Sequence, residues 1–264
     1  MQARIEVDEK TMALLQLAEA RRRALAVGAV VLAPAPAPAP VPVVRKWTAP
    51  DGIGSVELLE TFGDDLTVVN AARVSFAKES TTMTERDSRL VQYLAEHDHV
   101  TPFFHPQARF RIKMPIFVAR EWYRHQIGFA RNEVSRRYVD TRPECWAPAA
   151  EEIRARDPRA KQGSREEAIP TADVTAARIA EHNTAAIALY EGMLAEGVAP
   201  EVARTVLPQG MYTEFIETGS LAAYARLCGL RLGPDAQREI QAYARAVSDL
   251  MVADFPVSWA ALSA

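Results

Sequence analysis

The 264-residue sequence has little of several features that mark common classes of protein. Its only cysteines are Cys145 and Cys228, too few for a disulfide-stapled secreted domain, so we expect a reducing, cytoplasmic setting. The longest apolar run, residues 25–33, is far shorter than a membrane-spanning helix, and we expect no membrane insertion. A formal net charge of −3 argues against a basic surface that coats nucleic acid.

Phosphate loops and activated nucleophiles are also missing from the sequence. No glycine-rich loop of the dinucleotide or nucleoside-triphosphate type occurs, and Ser135 lacks the flanking glycines of a nucleophile elbow. Cys145 has no strongly basic surroundings and is predicted to be an inert thiol. Three histidines, His97, His99 and His105, match no metal-ligand spacing, so we predict no metal site and a hydrogen-bonding role for His99 or His105.

Residues 1–46 differ in composition from the rest of the chain. A helix is predicted at Thr11–Leu25, and the Ala-Pro alternation of Ala33–Pro42 favours an extended spacer. The basic helix raises the possibility of a transit peptide, but several acidic residues argue against one. We therefore expect a flexible appendage at 1–46, and one folded catalytic domain at 47–264.

Periodicity predicts an α+β domain, with a small mixed or antiparallel sheet packed with several helices and a strongly helical C-terminal half. The polar stretch from Pro148 to Ile169 is predicted to be a loop with one helical turn. The expected strands are Ser55–Thr61 and Gln107–Met114. The expected helices are Leu66–Phe76, one capped by Thr84 and running to His97, one with Pro115 as its first residue, Ala172–Glu196, Glu201–Val206, Gly219–Leu230 and Asp235–Ala253.

An arginine-dense segment, Arg124–Tyr138, follows the predicted helix at Pro115–Tyr123. Between Arg120 and Arg142, six arginines stand against three carboxylates. Arginine at this density suits bidentate recognition of phosphate and of ring edges, although a solvated basic face is the simpler alternative. If folding or oligomerisation brings this segment together with the arginines of the C-terminal helices, an anion pocket results; these arginines are Arg204, Arg226 and Arg231.

Six sequence blocks, in order over Val56–Ala260, resemble the flavin-dependent thymidylate synthases. They are Ala71–Phe76, His99–Phe103, Pro115–Arg120 leading into Arg124 and His125, Asn132–Tyr138, Glu201–Pro208, and Leu230 and Arg231 with Ala236 and Gln237. The resemblance implies a homotetramer with active sites at subunit interfaces and a tightly held FAD. It also implies that dUMP is converted to dTMP with 5,10-methylenetetrahydrofolate as carbon donor and NADPH as reductant. Two alternatives are a nucleotide-binding relative without flavin or catalysis, and a flavoenzyme acting on another uracil-containing substrate.

The resemblance also implies roles for individual residues. Arg231 is expected to be catalytic, polarising the uracil and favouring ionisation at N3, with no protein nucleophile and no metal. The expected FAD-binding residues are Ser75, His99, Thr101, Arg124, His125, Gln126, Glu133, Ser220 and Arg226. The expected dUMP-binding residues are Glu121, Trp122, Tyr123, Arg124, Glu133, Val134, Ser135, Arg136, Arg137, Arg204 and Arg231.

Several positions depart from the family pattern. Gln126 replaces an arginine that contacts the flavin phosphate, so we expect weaker FAD retention unless Arg226 or Arg131 compensates. One extra residue lies between His125 and Asn132. The other departures are Phe104 in place of glutamate, Ser220 and Arg226 in place of asparagine, Asp235 in place of histidine, and Glu121 in place of a glutamine that contacts the nucleotide.

Overall fold

A computed structural model describes residues 45–139, 141–159 and 163–263, together with Gln16. The chain divides into two units, residues 1–43 and 44–264, and the strands and helices named in the following paragraphs belong to the second. Apart from Gln16, the predicted N-terminal helix lies outside the described residues, and so does the Ala-Pro spacer.

An antiparallel sheet of five strands forms the centre of the second unit, in the order β1-β2-β3-β7-β4. In β3 the apolar side chains of alternate residues are buried, which confirms the predicted half-buried strand. A separate two-stranded hairpin pairs β5 with β6. The strands are β1 Arg45–Thr48, β2 Ser55–Phe62, β3 Gln107–Pro115, β4 Phe129–Glu133, β5 Arg154–Arg156, β6 Ser164–Ala168 and β7 Tyr212–Ser220.

Eight α-helices lie within the described ranges. They are α1 Asp65–Arg73, α2 Glu85–Glu96, α3 Ile116–Trp122, α4 Ala172–Ala195, α5 Pro200–Ala203, α6 Leu221–Arg231, α7 Arg238–Val252 and α8 Pro256–Leu262. The predicted cap of α2 is confirmed, because Thr84 and Asp87 each accept a hydrogen bond from the backbone amide of the other. In the described ranges, no helix is both long and apolar enough to cross a membrane.

The hydrophobic core lies between the sheet and helices α1, α2, α6, α7 and α8. At the end of β7, the chain turns directly into α6, whose N-terminus is capped by the Ser220 hydroxyl. A Cβ at Gly219 would lie 2.5 Å from the Phe129 ring and 2.8 Å from the Tyr224 ring. Only glycine therefore lets β4 and α6 approach β7 this closely. The other end of α6 reaches α3, where Arg231 contacts Glu121.

Several sequence-based expectations were wrong. The stretch 148–169 contains the predicted helical turn, as a 3₁₀ turn at Ala150–Glu152, but it is not otherwise a loop, because it also contains the β5-β6 hairpin. Every residue of β6 is exposed, so no alternation of apolar residues marked it. Pro115 ends β3 and precedes the first residue of α3. Strands β1, β4 and β7 and helix α8 were not predicted, and residues 219 and 220 belong to β7 instead of the next helix.

Asp65, the first residue of α1, stabilises the start of α8. Its carboxylate accepts hydrogen bonds from the amides of Val257 at 2.9 Å and Ser258 at 2.8 Å. Asp65 is only 5% exposed, and α8 has no side-chain cap from its own N-cap residue. A carboxylate at this position satisfies two amides that α8 itself cannot satisfy and interacts favourably with the helix dipole.

We expect Asp65→Ala to lower the free energy of unfolding by about 2–4 kcal/mol, because one buried and one half-buried amide lose their acceptor. Asp64→Ala is the matched control: it removes an exposed cap that serves only its own helix and costs about 1 kcal/mol. Urea unfolding followed by circular dichroism measures both. Equal losses in the two variants would contradict the cross-helix role of Asp65.

Candidate functional site

The buried carboxylate of Glu217 ties together the segment that follows α3. Glu217 is 0% exposed, and it accepts a hydrogen bond from Trp122 Nε1 at 3.1 Å and pairs with Arg131. Arg131 lies opposite Glu217 in the β4-β7 register, and its Nη2 donates to the carbonyl oxygen of His125 at 2.5 Å. Burial raises the pKa of Glu217, while Arg131 and Trp122 oppose the shift.

Arg231, the last residue of α6, contacts the end of α3 through three atoms of its guanidinium. Its Nε donates to Nε2 of His125 at 3.0 Å, and its Nη2 donates to the carbonyl oxygen of Glu121 at 3.1 Å. Its Nη1 lies 3.5 Å from Oε2 of Glu121. Because His125 Nε2 accepts a hydrogen bond, the ring proton is assigned to Nδ1.

His125 is held neutral by its surroundings. Burial, together with the positive charges of Arg231, Arg131 and Arg226, lowers its pKa from 6.5 to about 4. A neutral imidazole can accept the hydrogen bond from Arg231, whereas an imidazolium cannot. The guanidinium of Arg231 is therefore oriented by a ring that stays uncharged at neutral pH.

A cavity of about 1100 Å³ opens beside Arg231, a volume suited to a small organic ligand. One wall is the β5-β6 hairpin, which Arg154 joins to α7 through Glu239, at 2.9 Å, while Glu166 pairs with Arg238. Sequence reasoning missed this wall, because the hairpin itself was not predicted. The charged residues lining the cavity are Glu121, Arg124, Arg154, Asp157, Glu166, Arg231, Asp235 and Arg238.

A second cavity, also of about 1100 Å³, brings Ser75, which follows α1, together with His99 and Thr101, which follow α2. All three residues are exposed. The donor set combines hydroxyl, imidazole and guanidinium groups with an apolar base, which fits a ligand carrying both rings and phosphates. Sequence reasoning missed the cations that line it, Lys78, Arg86 and Arg89; the three-residue spacing of Arg86 and Arg89 on α2 was the available signal.

The predicted phosphate-binding residues form a third group. Ser135 accepts a hydrogen bond from the amide of Arg137, and Arg137 lies 3.6 Å from Glu201, which precedes Arg204 by three residues in the chain. Val134 joins this group to the sheet through its amide, which donates to the carbonyl oxygen of residue 214, and Arg136 donates to that of residue 141. Among the described residues, neither Ser135 nor Arg137 lines the Arg231 cavity.

Of the remaining predicted residues, Trp122, Ser220 and Glu133 have hydrogen-bond partners within the chain. Trp122 is fully buried against Glu217, and Ser220 is buried as the cap of α6. The centroid of the Tyr123 ring lies 5.1 Å from that of the Phe215 ring, and the two rings pack edge to face. Glu133 accepts a hydrogen bond from the Thr213 hydroxyl at 2.5 Å.

Two arginines were expected to compensate for Gln126. Arg131 is engaged by Glu217 and by the carbonyl oxygen of His125, so its guanidinium is committed to the fold. Arg226 is exposed and donates to the carbonyl oxygen of Ile127 at 2.6 Å. Ile127 directly follows Gln126 in the chain, so this hydrogen bond holds Arg226 close to Gln126. Arg226 is therefore the better placed of the two to meet an anion.

In the part of the chain that the structure describes, no group of three or more histidine, cysteine, aspartate or glutamate side chains could hold a metal ion.

Comparison with known proteins gives a consistent match over most of the chain. Residues 57–257 match the family described as thymidylate synthase complementing protein, Thy1. A flavin-dependent thymidylate synthase of Thermus thermophilus is 39% identical over 208 residues, covering 79% of this chain and 75% of the relative. That of Kosmotoga olearia is 40% identical over 209 residues, covering 79% and 89%.

Solved structures agree with this match. The crystal structure of a UMP/dUMP methylase, PolB from Streptomyces cacaoi, bound with 5-Br dUMP, is similar with a TM-score of 0.71 and 28% identity. The alignment covers 79% of this chain and 94% of that one. The same methylase bound with 5-Br UMP is similar with a TM-score of 0.70. The predicted α+β fold is thus shared with these structures.

We expect the ring of His125 to titrate at about pH 4, as its lowered pKa requires. Arg231→Gln raises this value by removing one positive charge, but leaves it below 6.5 because burial, the largest cause, remains. NMR titration of the histidine rings measures both. Arg245→Gln, an exposed site on α7, is the control and leaves the His125 titration unchanged.

The same pKa shift has a consequence for stability. As pH falls from 6.5 towards 4, the unfolded chain binds a proton at His125 that the folded chain does not, so the folded state is destabilised in this window and unaffected above it. If the ring instead titrated above 6.5, the neutral acceptor assigned to His125 would be wrong.

Proposed function

Because the chain belongs to the flavin-dependent thymidylate synthase family, we propose that it methylates dUMP to dTMP with bound FAD. The carbon unit comes from 5,10-methylenetetrahydrofolate and the reducing equivalents from NADPH, with tetrahydrofolate and NADP⁺ as the other products. The observation that carries the proposal is the oriented guanidinium of Arg231 at the wall of a ligand-sized cavity. Such a group stabilises negative charge on a pyrimidine without a protein nucleophile.

The thiols of the chain support a reaction without covalent catalysis. Burial raises the pKa of Cys228 to about 12, and its Sγ donates to the carbonyl oxygen of Ala244. Burial also raises the pKa of Cys145. Since the thiolate is the reactive form, neither cysteine is prepared to attack the uracil ring. Arg231 then acts through charge and position alone.

The cavity around Ser75, His99 and Thr101 is the proposed FAD site. When bound, the flavin supplies the hydride chemistry, and the protein supplies binding and orientation. Exposed hydroxyl and imidazole groups can donate to the cofactor, and the lining cations can pair with its phosphates. Arg124 and His125 belong to the separate Arg231 region, so a flavin that meets both sets has to span two surfaces.

We propose that neighbouring subunits complete the active site, in the homotetramer that the family resemblance implies. Within one chain, Ser135 and Arg137 lie outside the Arg231 cavity. The family resemblance nevertheless assigns these two residues and Arg231 to the same nucleotide. Large apolar side chains beside the FAD cavity are strongly exposed, including Val74 and Phe76 at 72% and 75%. Surfaces of this kind are typical of protein contacts.

A second candidate substrate is UMP. The similar solved structure is that of a UMP/dUMP methylase, which was crystallised with 5-Br UMP as well as with 5-Br dUMP. Both nucleotides carry the uracil and phosphate that the proposed site would bind, and they differ only at the ribose 2′ position. A direct comparison of the two nucleotides decides between them.

We expect the 264-residue protein to release the C5 proton of dUMP when FAD, 5,10-methylenetetrahydrofolate and NADPH are present. Arg231→Ala lowers kcat/KM by about 10²–10³-fold, because it removes the group that stabilises charge on the ring, while FAD absorbance is retained. Arg111→Gln, at an exposed strand position, is the control and keeps activity.

Other outcomes of this assay have distinct meanings. Faster turnover of UMP than of dUMP would identify the ribonucleotide as the substrate. Bound flavin with no proton release from either nucleotide would contradict methylation of uracil. A chain that binds no flavin would support a binding relative that has lost catalysis. Loss of FAD from Arg231→Ala with intact dUMP affinity would contradict the role given to Arg231.

We expect Gln126→Arg to tighten FAD binding by about tenfold, because it adds one charge-assisted hydrogen bond to a phosphate. The flavin-to-protein ratio after purification and fluorescence titration with FAD measure the effect. Gln92→Arg adds the same charge on the side of α2 that faces α8, and this control leaves FAD affinity unchanged. Equal effects in both variants would point to net charge instead of a local phosphate contact.

A further inference from the structure

The guanidinium of Arg231 has one edge that a ligand can share. Nε is held by His125 at 3.0 Å and Nη2 by the carbonyl oxygen of Glu121 at 3.1 Å. Nη1 has the longest contact, 3.5 Å to the Glu121 carboxylate. The two side chains are 20% and 29% exposed, and both line the cavity. A hydrogen-bond donor and a charged acceptor thus stand side by side at its wall.

We infer that Glu121 determines base specificity by accepting a hydrogen bond from N3–H of a neutral uracil, while Arg231 donates to the adjacent carbonyl oxygen. The inference rests on the proposed function, because it assigns the uracil ring to the Arg231 cavity. It gives Glu121 a definite partner atom, and it concerns a position where this chain carries a carboxylate instead of the glutamine of the family pattern.

The pairing follows from the pattern of donors and acceptors on the base. The imide edge of uracil presents a carbonyl acceptor next to the N3–H donor, which matches Nη1 of Arg231 next to Oε2 of Glu121. Cytosine presents an amino donor next to the N3 lone pair. Its amino group would face the guanidinium and its lone pair would face the carboxylate, so both contacts become unfavourable.

The carboxylate also selects the protonation state of the bound base. A uracil that has lost its N3 proton carries negative charge where Glu121 is already negative, and like charges at contact distance repel each other. The nucleotide therefore binds as the neutral imide, whereas the family resemblance alone implies that the site favours ionisation at N3. Negative charge develops only as C5 reacts, on the carbonyl oxygen that faces Arg231.

The other charged groups of the cavity do not cause a change of nucleotide affinity with pH. Carboxylates and guanidinium groups keep their charge between about pH 7 and 9. His125 is already neutral there, since its pKa is about 4. Over that range only the ligand titrates. The groups concerned are Arg124 next to α3, Arg154, Asp157 and Glu166 of the hairpin segment, and Asp235 and Arg238 at the start of α7.

The first test measures dUMP and dCMP affinities by calorimetry, using the full-length protein saturated with FAD. We expect the wild type to prefer dUMP by at least about ten- to a hundredfold, and Glu121→Gln to reduce that preference about tenfold, because an amide can also donate to the N3 of cytosine. Glu181→Gln removes an exposed carboxylate of α4, which lines neither of the two large cavities, and leaves the preference unchanged.

The second test changes the ligand and does not depend on the folding of a variant. Bromine withdraws electrons and makes N3–H of 5-bromo-dUMP more acidic than that of dUMP. The apparent Kd of a neutral binder rises about tenfold for each pH unit above the N3 pKa. We therefore expect affinity for 5-bromo-dUMP to fall between about pH 7 and 9 while that for dUMP changes less, and N3-methyl-dUMP to bind at least about tenfold more weakly than dUMP.

The outcomes separate this inference from the proposed function. If dUMP binds but Glu121→Gln keeps the full preference over dCMP, or if affinity for 5-bromo-dUMP increases with pH, the role of Glu121 is overturned and methylation of dUMP stands. If the flavin-loaded wild type binds no uracil nucleotide, both are overturned. Loss of preference in Glu121→Gln together with a falling pH profile supports the inference.

Discussion

The ion pair between the buried Glu217 and Arg131 is the contact on which the site depends. It holds β4 against β7, anchors Trp122 at the end of α3, and through Arg131 fixes the carbonyl of His125. The His125 ring in turn orients Arg231. Removal of one partner of such a pair leaves a buried charge and lowers the free energy of unfolding by about 3–5 kcal/mol. The stability of the fold and the position of Arg231 therefore depend on the same ion pair.

The arginine-dense segment turns out to have two kinds of member. Arg131 is largely buried and neutralised, and its charge serves the fold. Arg124 is exposed at the Arg231 cavity, and Arg137 is exposed at the third group of residues. Phosphate recognition and a basic face were alternative interpretations of one sequence pattern. The structure divides the segment between a structural role and surfaces that a nucleotide can reach.

Local signals explain which elements could be predicted. Strand β3 and the cap of α2 follow from alternation and from Thr84, whereas β7 buries Thr213 and Glu217 and exposes Ile216, which reverses the pattern expected of a strand. The residues of the site could be predicted mainly from the family resemblance. The hydrogen bond between Arg231 and His125 joins residues 106 positions apart, and no periodicity within α6 or in the segment after α3 encodes such a contact.

The hairpin that walls the Arg231 cavity is joined to α7 by charge. One pair, Arg154 with Glu239, is largely buried, and the other, Glu166 with Arg238, is mostly exposed. Dissolved salt screens the exposed pair far more than the buried one, and it leaves the apolar core intact. Rising ionic strength therefore weakens the exposed attachment of the cavity wall before it affects the stability of the domain, so the position of the hairpin is more sensitive to salt than folding is.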